Sequence, residues 1–296
     1  MKTSTRAHLA VLGTNLFFAA NFSFVKMVSP AVVKPFGLNV FRVSISLLLF
    51  WLIWALGKTS AGIAKKDIGR FFLCGLTGVA INQMLFIKGL TMTSTIHASL
   101  LMLTTPLLIT LFALWVLRES LTFTKITGIV LGAAGAALLI ASKENTSHAQ
   151  NYLLGDLLIL VNAISYSIYF ILVKPLMERY SPLHVVRWVF TFGLLLILPF
   201  GLAEATEVEF QAFTMQQVLA FVAVIFTGTF LAYYFNAYGI QHLGAGTTGS
   251  YIYTQPVFAV VIATLIFGES LSLYKGLAAV LIFSGVYLAG RRSKVE

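Results

Sequence analysis

Apolar residues run in blocks about twenty positions long, separated by short polar connections. By length and apolarity the blocks fall at 8–28, 38–56, 69–89, 94–117, 122–141, 155–175, 184–204, 216–238, 245–267 and 272–290. A helix needs roughly 20 apolar residues to cross a hydrocarbon core, so each block predicts one transmembrane helix. Alternation with a period of two is absent, which favours a helical bundle over a membrane β-barrel. The longest polar connections are 57–70, 142–154 and 204–217, and none could hold a soluble domain. The predicted fold class is an all-α integral membrane protein with ten transmembrane helices.

The polar and glycine punctuation repeats. Pro106, Glu119, Ser120, Leu121, Lys125 and Gly135 are matched 150 positions later by Pro256, Glu269, Ser270, Leu271, Lys275 and Gly285. Gly78 and Gly228, and Gly89 and Gly239, keep the same spacing. Upstream the match continues with small shifts, so that Gly37 to Arg42 resembles Pro182 to Arg187. The duplication divides the chain into a first repeat, 1–148, and a second, 149–296. Five spans is an odd number, so two such units in series enter the membrane from opposite sides. They form two inverted five-helix repeats related by a pseudo-twofold axis in the membrane plane. That geometry points to a transport pathway between the halves, opened by alternating access.

Composition agrees with the pattern. The chain is 58% hydrophobic and 10% charged, where a soluble domain carries about 25% charged residues, and its mean hydropathy is +0.90. A net charge of +10 would suggest a nucleic-acid partner in a soluble chain; here it reports topology, and no nucleic acid is expected. With the N-terminus in the cytoplasm, 14 of the 20 basic residues fall on inner segments and 6 on outer ones. This bias places both termini inside a plasma (inner) membrane. The acidic run Glu204, Glu207, Glu209 then falls outside. Lys2, Arg6 and the small Ala19–Ala20 pair give the first block a signal-peptide look, but its length, Asn15 and Asn21, and its place in the repeat make it a retained helix. Cys74 is alone, which excludes an internal disulfide and a multi-cysteine metal site. No HExxH, GxSxG, P-loop or paired intramembrane acid is present, so neither an enzyme nor a cofactor is expected.

Two kinds of segment carry a resemblance to a known family. One is Asn21, Phe22, Ser23, Phe24, Val25 and Lys26 near the end of helix 1. The other closes each half: Pro106, Arg118 to Leu121, Lys125 and Gly135, then Pro256, Gly268 to Leu271, Lys275 and Gly285. With the five-plus-five plan, these resemble the drug/metabolite transporter superfamily, in particular its EamA-type members, over essentially the whole chain. The resemblance implies a bacterial inner-membrane carrier, often an exporter of amino acids or other small metabolites. It also implies a central cavity lined mainly by helices 1, 3, 4, 6, 8 and 9.

Polar side chains facing lipid are costly, so those inside spans should turn inward. In helix 6, Asn162, Ser165, Tyr166 and Tyr169 form one stripe at i, i+3, i+4, i+7. Helix 9 repeats the spacing with Thr247, Ser250, Tyr251 and Thr254, and Gln255 stands beside Pro256. Helix 8 offers Tyr233, Tyr234, Asn236 and Tyr238. Helix 1 gives Asn15, Phe22 and Lys26 on one face and Asn21 on the next. Helix 3 gives Asn82, Gln83 and Phe86; helix 4 gives His97, Met102 and Thr104. The candidate substrate-binding set is Asn15, Asn21, Phe22, Lys26, Gln83, His97, Asn162, Tyr166, Tyr169, Tyr233, Asn236, Tyr251 and Gln255. Rings supply stacking area and amides fix orientation, which suits a small amphipathic molecule such as an amino acid with an apolar side chain. Pro106 and Pro256 each remove a backbone donor inside helices 4 and 9, and are the candidate hinges.

Each candidate has a structural alternative. Ser, Thr and Asn often bond only a neighbouring helix, and Tyr238 suits an interfacial anchor. Lys88, Lys174 and Arg187 suit snorkelling to headgroups, while Lys26 or Arg42 can face the path and attract a carboxylate or phosphate. Glu119 and Glu269 suit helix N-termini rather than a site. All ten acidic residues lie in loops or near span ends, which leaves His97 as the titrating group within a span and favours facilitated transport or exchange. The competing functions are broad drug efflux, carriage of a phosphorylated or nucleotide-like metabolite, and a non-transporting structural membrane protein. One chain already holds both halves, so a monomer suffices. Asn145 to Ser147 matches a glycosylation sequon on the outer side.

Overall fold

The structure is a computed structural model that describes residues 3–57, 62–117, 123–141, 151–268 and 272–290. Glu119, Glu269, the 145–147 sequon and the 148/149 junction lie outside the described residues, as do Arg118 and the basic C-terminus. The described chain is helical throughout, with no strand. The first half holds α1 (Thr3–Val28), α2 (Pro35–Leu56) and α3 (Lys65–Leu90), then α4 in two pieces (Thr95–Met102, Thr104–Leu117) and α5 (Phe123–Ala141). The second holds α6 (Tyr152–Met177), α7 (Pro182–Thr206), α8 (Met215–Gly244), α9 (Gly246–Ile266) and α10 (Leu273–Gly290). Eight of these are long and apolar enough to cross a membrane; the apolar stretches of α5 and α10, Ile126–Leu138 and Leu273–Gly285, are shorter.

Local chemistry sets the starts. Ser181 accepts the His184 N–H before Pro182 opens α7, and Ser94 accepts the His97 N–H at the start of α4. Thr214 and Gln217 form a capping box for α8. The start of α2 takes its cap from another helix: the Glu204 carboxylate at the end of α7 accepts from Phe36 N (2.7 Å) and Gly37 N (2.9 Å). Two orphan amides and a helix dipole are thereby met by one charge. On the same surface Glu207 accepts from Lys34, which holds the ammonium above its ordinary range.

The interruptions repeat as the sequence does. α3 passes through a π segment at Leu76–Ala80 and α8 through another at Phe226–Leu231. α4 breaks at Leu103, and α9 narrows to a 3-10 turn at Tyr251–Thr254. Both breaks stand just before the prolines, and the helix resumes so that Pro106 and Pro256 sit in its first turn, where a missing N–H costs nothing. Between α8 and α9 the chain turns at Gly244 with φ +81°, a conformation that glycine alone adopts without strain.

Packing follows the duplication. α2 packs on its counterpart α7 and α5 on its counterpart α10; α1 packs on α8 as α6 packs on α3, and α9 on α1 as α4 on α6. Exchanging the halves maps this contact pattern onto itself. Bare backbones meet at both self-paired seams. A Cβ on Gly201 would lie 2.5 Å from Phe36 O, and one on Gly285 would lie 2.5 Å from Gly128 O. Small residues permit such approach between membrane helices. Leu48, Leu195, Leu265 and Val280 face outward with most of their surface exposed, as a lipid-facing shell requires.

Candidate functional site

The π segments explain how the centre is built. Widening a helical turn frees carbonyls from the i−4 ladder, and side chains from other helices take them up. Ser165 Oγ donates to Thr77 O (2.7 Å) in the segment, and just beyond it Asn162 Nδ2 donates to Asn82 O (2.6 Å). Tyr233 Oη is shared between Gly78 O (3.2 Å) and Asn82 Oδ1 (3.1 Å). In the other half, Arg42 Nε donates to Thr229 Oγ1 (2.8 Å) and its Nη2 to Gly228 O (3.3 Å). The glycines at the repeat positions make room. A Cβ on Gly78 would stand 2.3 Å from the Tyr169 ring, and one on Gly228 2.2 Å from Asn21 Oδ1.

These contacts line a small cavity of about 50 Å³ between the halves, below the usual range for small-molecule sites. α1 supplies Phe18, Asn21 and Phe22, and α3 supplies Asn82, Gln83 and Phe86. α6 supplies Asn162 and Tyr166. Arg42, Met102, Tyr233 and Gln255 complete the wall from α2, α4, α8 and α9. Phe22 meets Phe86 edge-on at 5.1 Å, and Tyr166 stacks parallel to Tyr169 at 5.9 Å. Among the described residues no Asp or Glu lines the cavity.

Of the sequence candidates, Asn21, Phe22, Gln83, Asn162, Tyr166, Tyr233 and Gln255 line this space. Three more stand directly behind it: Asn15 Oδ1 accepts from Gln255 Nε2 (2.7 Å), Asn236 Nδ2 donates to Tyr166 Oη (3.0 Å), and Tyr169 backs Tyr166 against Gly78. The remaining three are elsewhere. Tyr251 bonds His8 Nδ1 (2.8 Å), because the 3-10 turn rotates the α9 stripe and leaves Gln255 as its cavity residue. Lys26 is half-buried near the end of α1, away from the cavity wall. His97 is buried beside Asp156, its Nδ1 3.1 Å from Oδ2, and Thr93 Oγ1 donates to the same carboxylate.

The structure buries three charged residues that the sequence puts near span ends, and it brings Arg42, read there as able to face the path, onto the cavity wall. Asp156 and Arg42, both near the ends of predicted spans, are 1% and 2% exposed. Arg187, expected to snorkel, is fully buried with its guanidinium 4.5 Å and 4.6 Å from the Trp51 and Trp54 rings.

Several open valences face or flank the cavity. Arg42 Nη1, Asn21 Oδ1 and both ends of the Gln83 amide complete no hydrogen bond among the described residues, although Gln83 lies beside the Tyr233 phenol. Buried polar groups are normally satisfied, so this cluster is prepared for a polar guest.

A sequence model of the EamA-like transporter family matches residues 5–141 and again 153–291. The chain is 27% identical to the uncharacterized transporter YetK of Bacillus subtilis, over 84% of this chain and 76% of that one. It is 25% identical to a probable terminal-alkyne amino-acid exporter of Streptantibioticus cattleyicolor, over 87% of this chain and 84% of the relative. One solved crystal structure shares the fold with a TM-score of 0.65 at 19% identity, covering 96% of each chain.

Proposed function

The chain belongs to the EamA-like transporter family, and from that premise we propose that it is a secondary carrier, not an enzyme, exporting a small amphipathic amino acid across the plasma membrane. Its working parts are two inverted halves, 1–148 and 149–296, of five transmembrane helices each, with both termini in the cytoplasm. The substrate sits in the cavity between them, and exchange of the packing between the halves opens that cavity to one side and then the other. The single observation behind this reading is the cavity itself. Helices of both halves line it, and ring faces alternate with amides on its wall. Such a wall holds an apolar side chain against Phe22, Phe86 and Tyr166 while Gln83, Asn162 and Gln255 fix the polar end. The amino-acid reading is also supported by the name of the Streptantibioticus relative.

Counterflow in proteoliposomes tests the proposal. Vesicles loaded with one solute are diluted into the same solute carrying a radiolabel, without nucleotide. The panel is L-leucine, L-phenylalanine, L-threonine, glucose 6-phosphate and the lipophilic cation tetraphenylphosphonium. Uptake of an apolar amino acid supports the reading. Uptake of the cation or the phosphate ester alone replaces it with drug efflux or phosphometabolite carriage, and no uptake at all removes the carrier reading.

A further inference from the structure

Among the described residues, Arg42 is the one cation on the cavity wall, and it is built in. Its α2 backbone is fixed at the Gly37–Glu204 seam, its Nε is committed to Thr229, and its Nη2 makes only a long bond to Gly228 O. Among the described residues, Nη1 bonds nothing and the wall holds no carboxylate. A guanidinium presents five donors, and its paired terminal N–H groups match the two oxygens of a carboxylate. Burying such a charge beside no carboxylate of the described wall is costly, and an anion in the cavity relieves that cost.

We propose that Arg42 is the carboxylate anchor of the carrier, so that every transported solute bears a carboxylate. The proposal rests on the carrier reading above and adds the chemical class that the site accepts. The carboxylate takes one N–H each from Nη1 and Nη2 end-on, while the second Nη2 N–H keeps its 3.3 Å bond to Gly228 O and Nε its bond to Thr229. Asn21 Oδ1 and the Gln83 carbonyl, both acceptors with open valence, receive an α-ammonium if one is present. One guanidinium matches one negative charge; a phosphate dianion would remain half uncompensated.

The experiment compares three ligand series on the full chain in proteoliposomes and, for binding alone, in detergent by calorimetry. L-Leucine and L-phenylalanine carry both groups. Their amides lack the carboxylate. 4-Methylpentanoate and 3-phenylpropanoate lack the amine. Both carboxylate series should bind and compete for counterflow. The amides should be weaker by about tenfold or more, the worth of one charge-assisted hydrogen-bond pair. Arg42→Gln should abolish the preference of acid over amide, and Arg42→Lys should restore part of it. A merely structural arginine would weaken acids and amides alike and leave their ratio unmoved. Amides that match the acids in the wild-type protein would overturn the anchor while counterflow kept the carrier. Carboxylates that fail to bind, with tetraphenylphosphonium transported, would overturn both the anchor and the amino-acid substrate while the carrier stands. Should Arg42→Gln fail to fold, the wild-type ligand series still decides the question.

Discussion

Gly78 and Gly228 show how much a single hydrogen-for-methyl choice carries in this bundle. Each sits in a π segment and receives a side chain from the other half, Tyr169 on one side and Asn21 on the other. Gly78→Ala forces the Tyr169 ring out of place and should cost about 1–3 kcal/mol as overpacking. A thermal melt in detergent reads this as a lowered Tm, and an unchanged Tm would show that the ring moves freely. Asp156 carries a different burden. Its carboxylate holds both Thr93 and His97, joining the α3–α4 turn to α6 with side chains about 1% exposed. Asp156→Asn replaces one acceptor oxygen of this buried cluster with an N–H donor and should lower stability by about 1–3 kcal/mol. His97→Gln, which leaves the carboxylate behind, should be as damaging in the same melt.

At the scale of the helix, regularity decided what could be read in advance. α6 is unbroken from Tyr152 to Met177, so the spacing of Asn162, Ser165, Tyr166 and Tyr169 maps directly to one face. That face meets α3, and its Asn162 and Tyr166 reach the cavity. The α9 stripe failed because a turn of 3.0 residues replaces one of 3.6 at Tyr251–Thr254. Arg42 was legible as a cation near a span end that could face the path and attract a carboxylate or phosphate, but not as a buried one. Its burial depends on Thr229 and the freed Gly228 carbonyl, 186 positions away, and no local pattern encodes such a contact. The breaks before Pro106 and Pro256 are the places where α4 and α9 can bend. Pro106→Leu and Pro256→Leu should slow counterflow by about tenfold, through longer residence in one state, while calorimetric affinity stays within about twofold. Equal losses in affinity and rate would place the prolines in binding rather than motion.

For the molecule as a whole, the contact pattern that survives exchange of the halves ties fold to function. α2 with α7 and α5 with α10 touch through glycine backbones, and the remaining contacts surround the cavity. An inverted pair requires both termini on one side, so reporter tags at the two ends should both be reached only after the cytoplasmic face is opened. A tag reached from outside at one end alone would refute the inversion. One part of the α2–α7 seam reaches beyond stability. Trp51 and Trp54 hold the Arg187 guanidinium there, their rings 5.2 Å apart, and Trp188 packs edge-on against Trp51 at 5.6 Å. Three of the four tryptophans in the chain therefore share one spot, two of them on a cation, at the joint where the halves meet. Their ultraviolet emission is a native optical signal of that joint: a solute that loosens it will change colour and intensity with no dye attached.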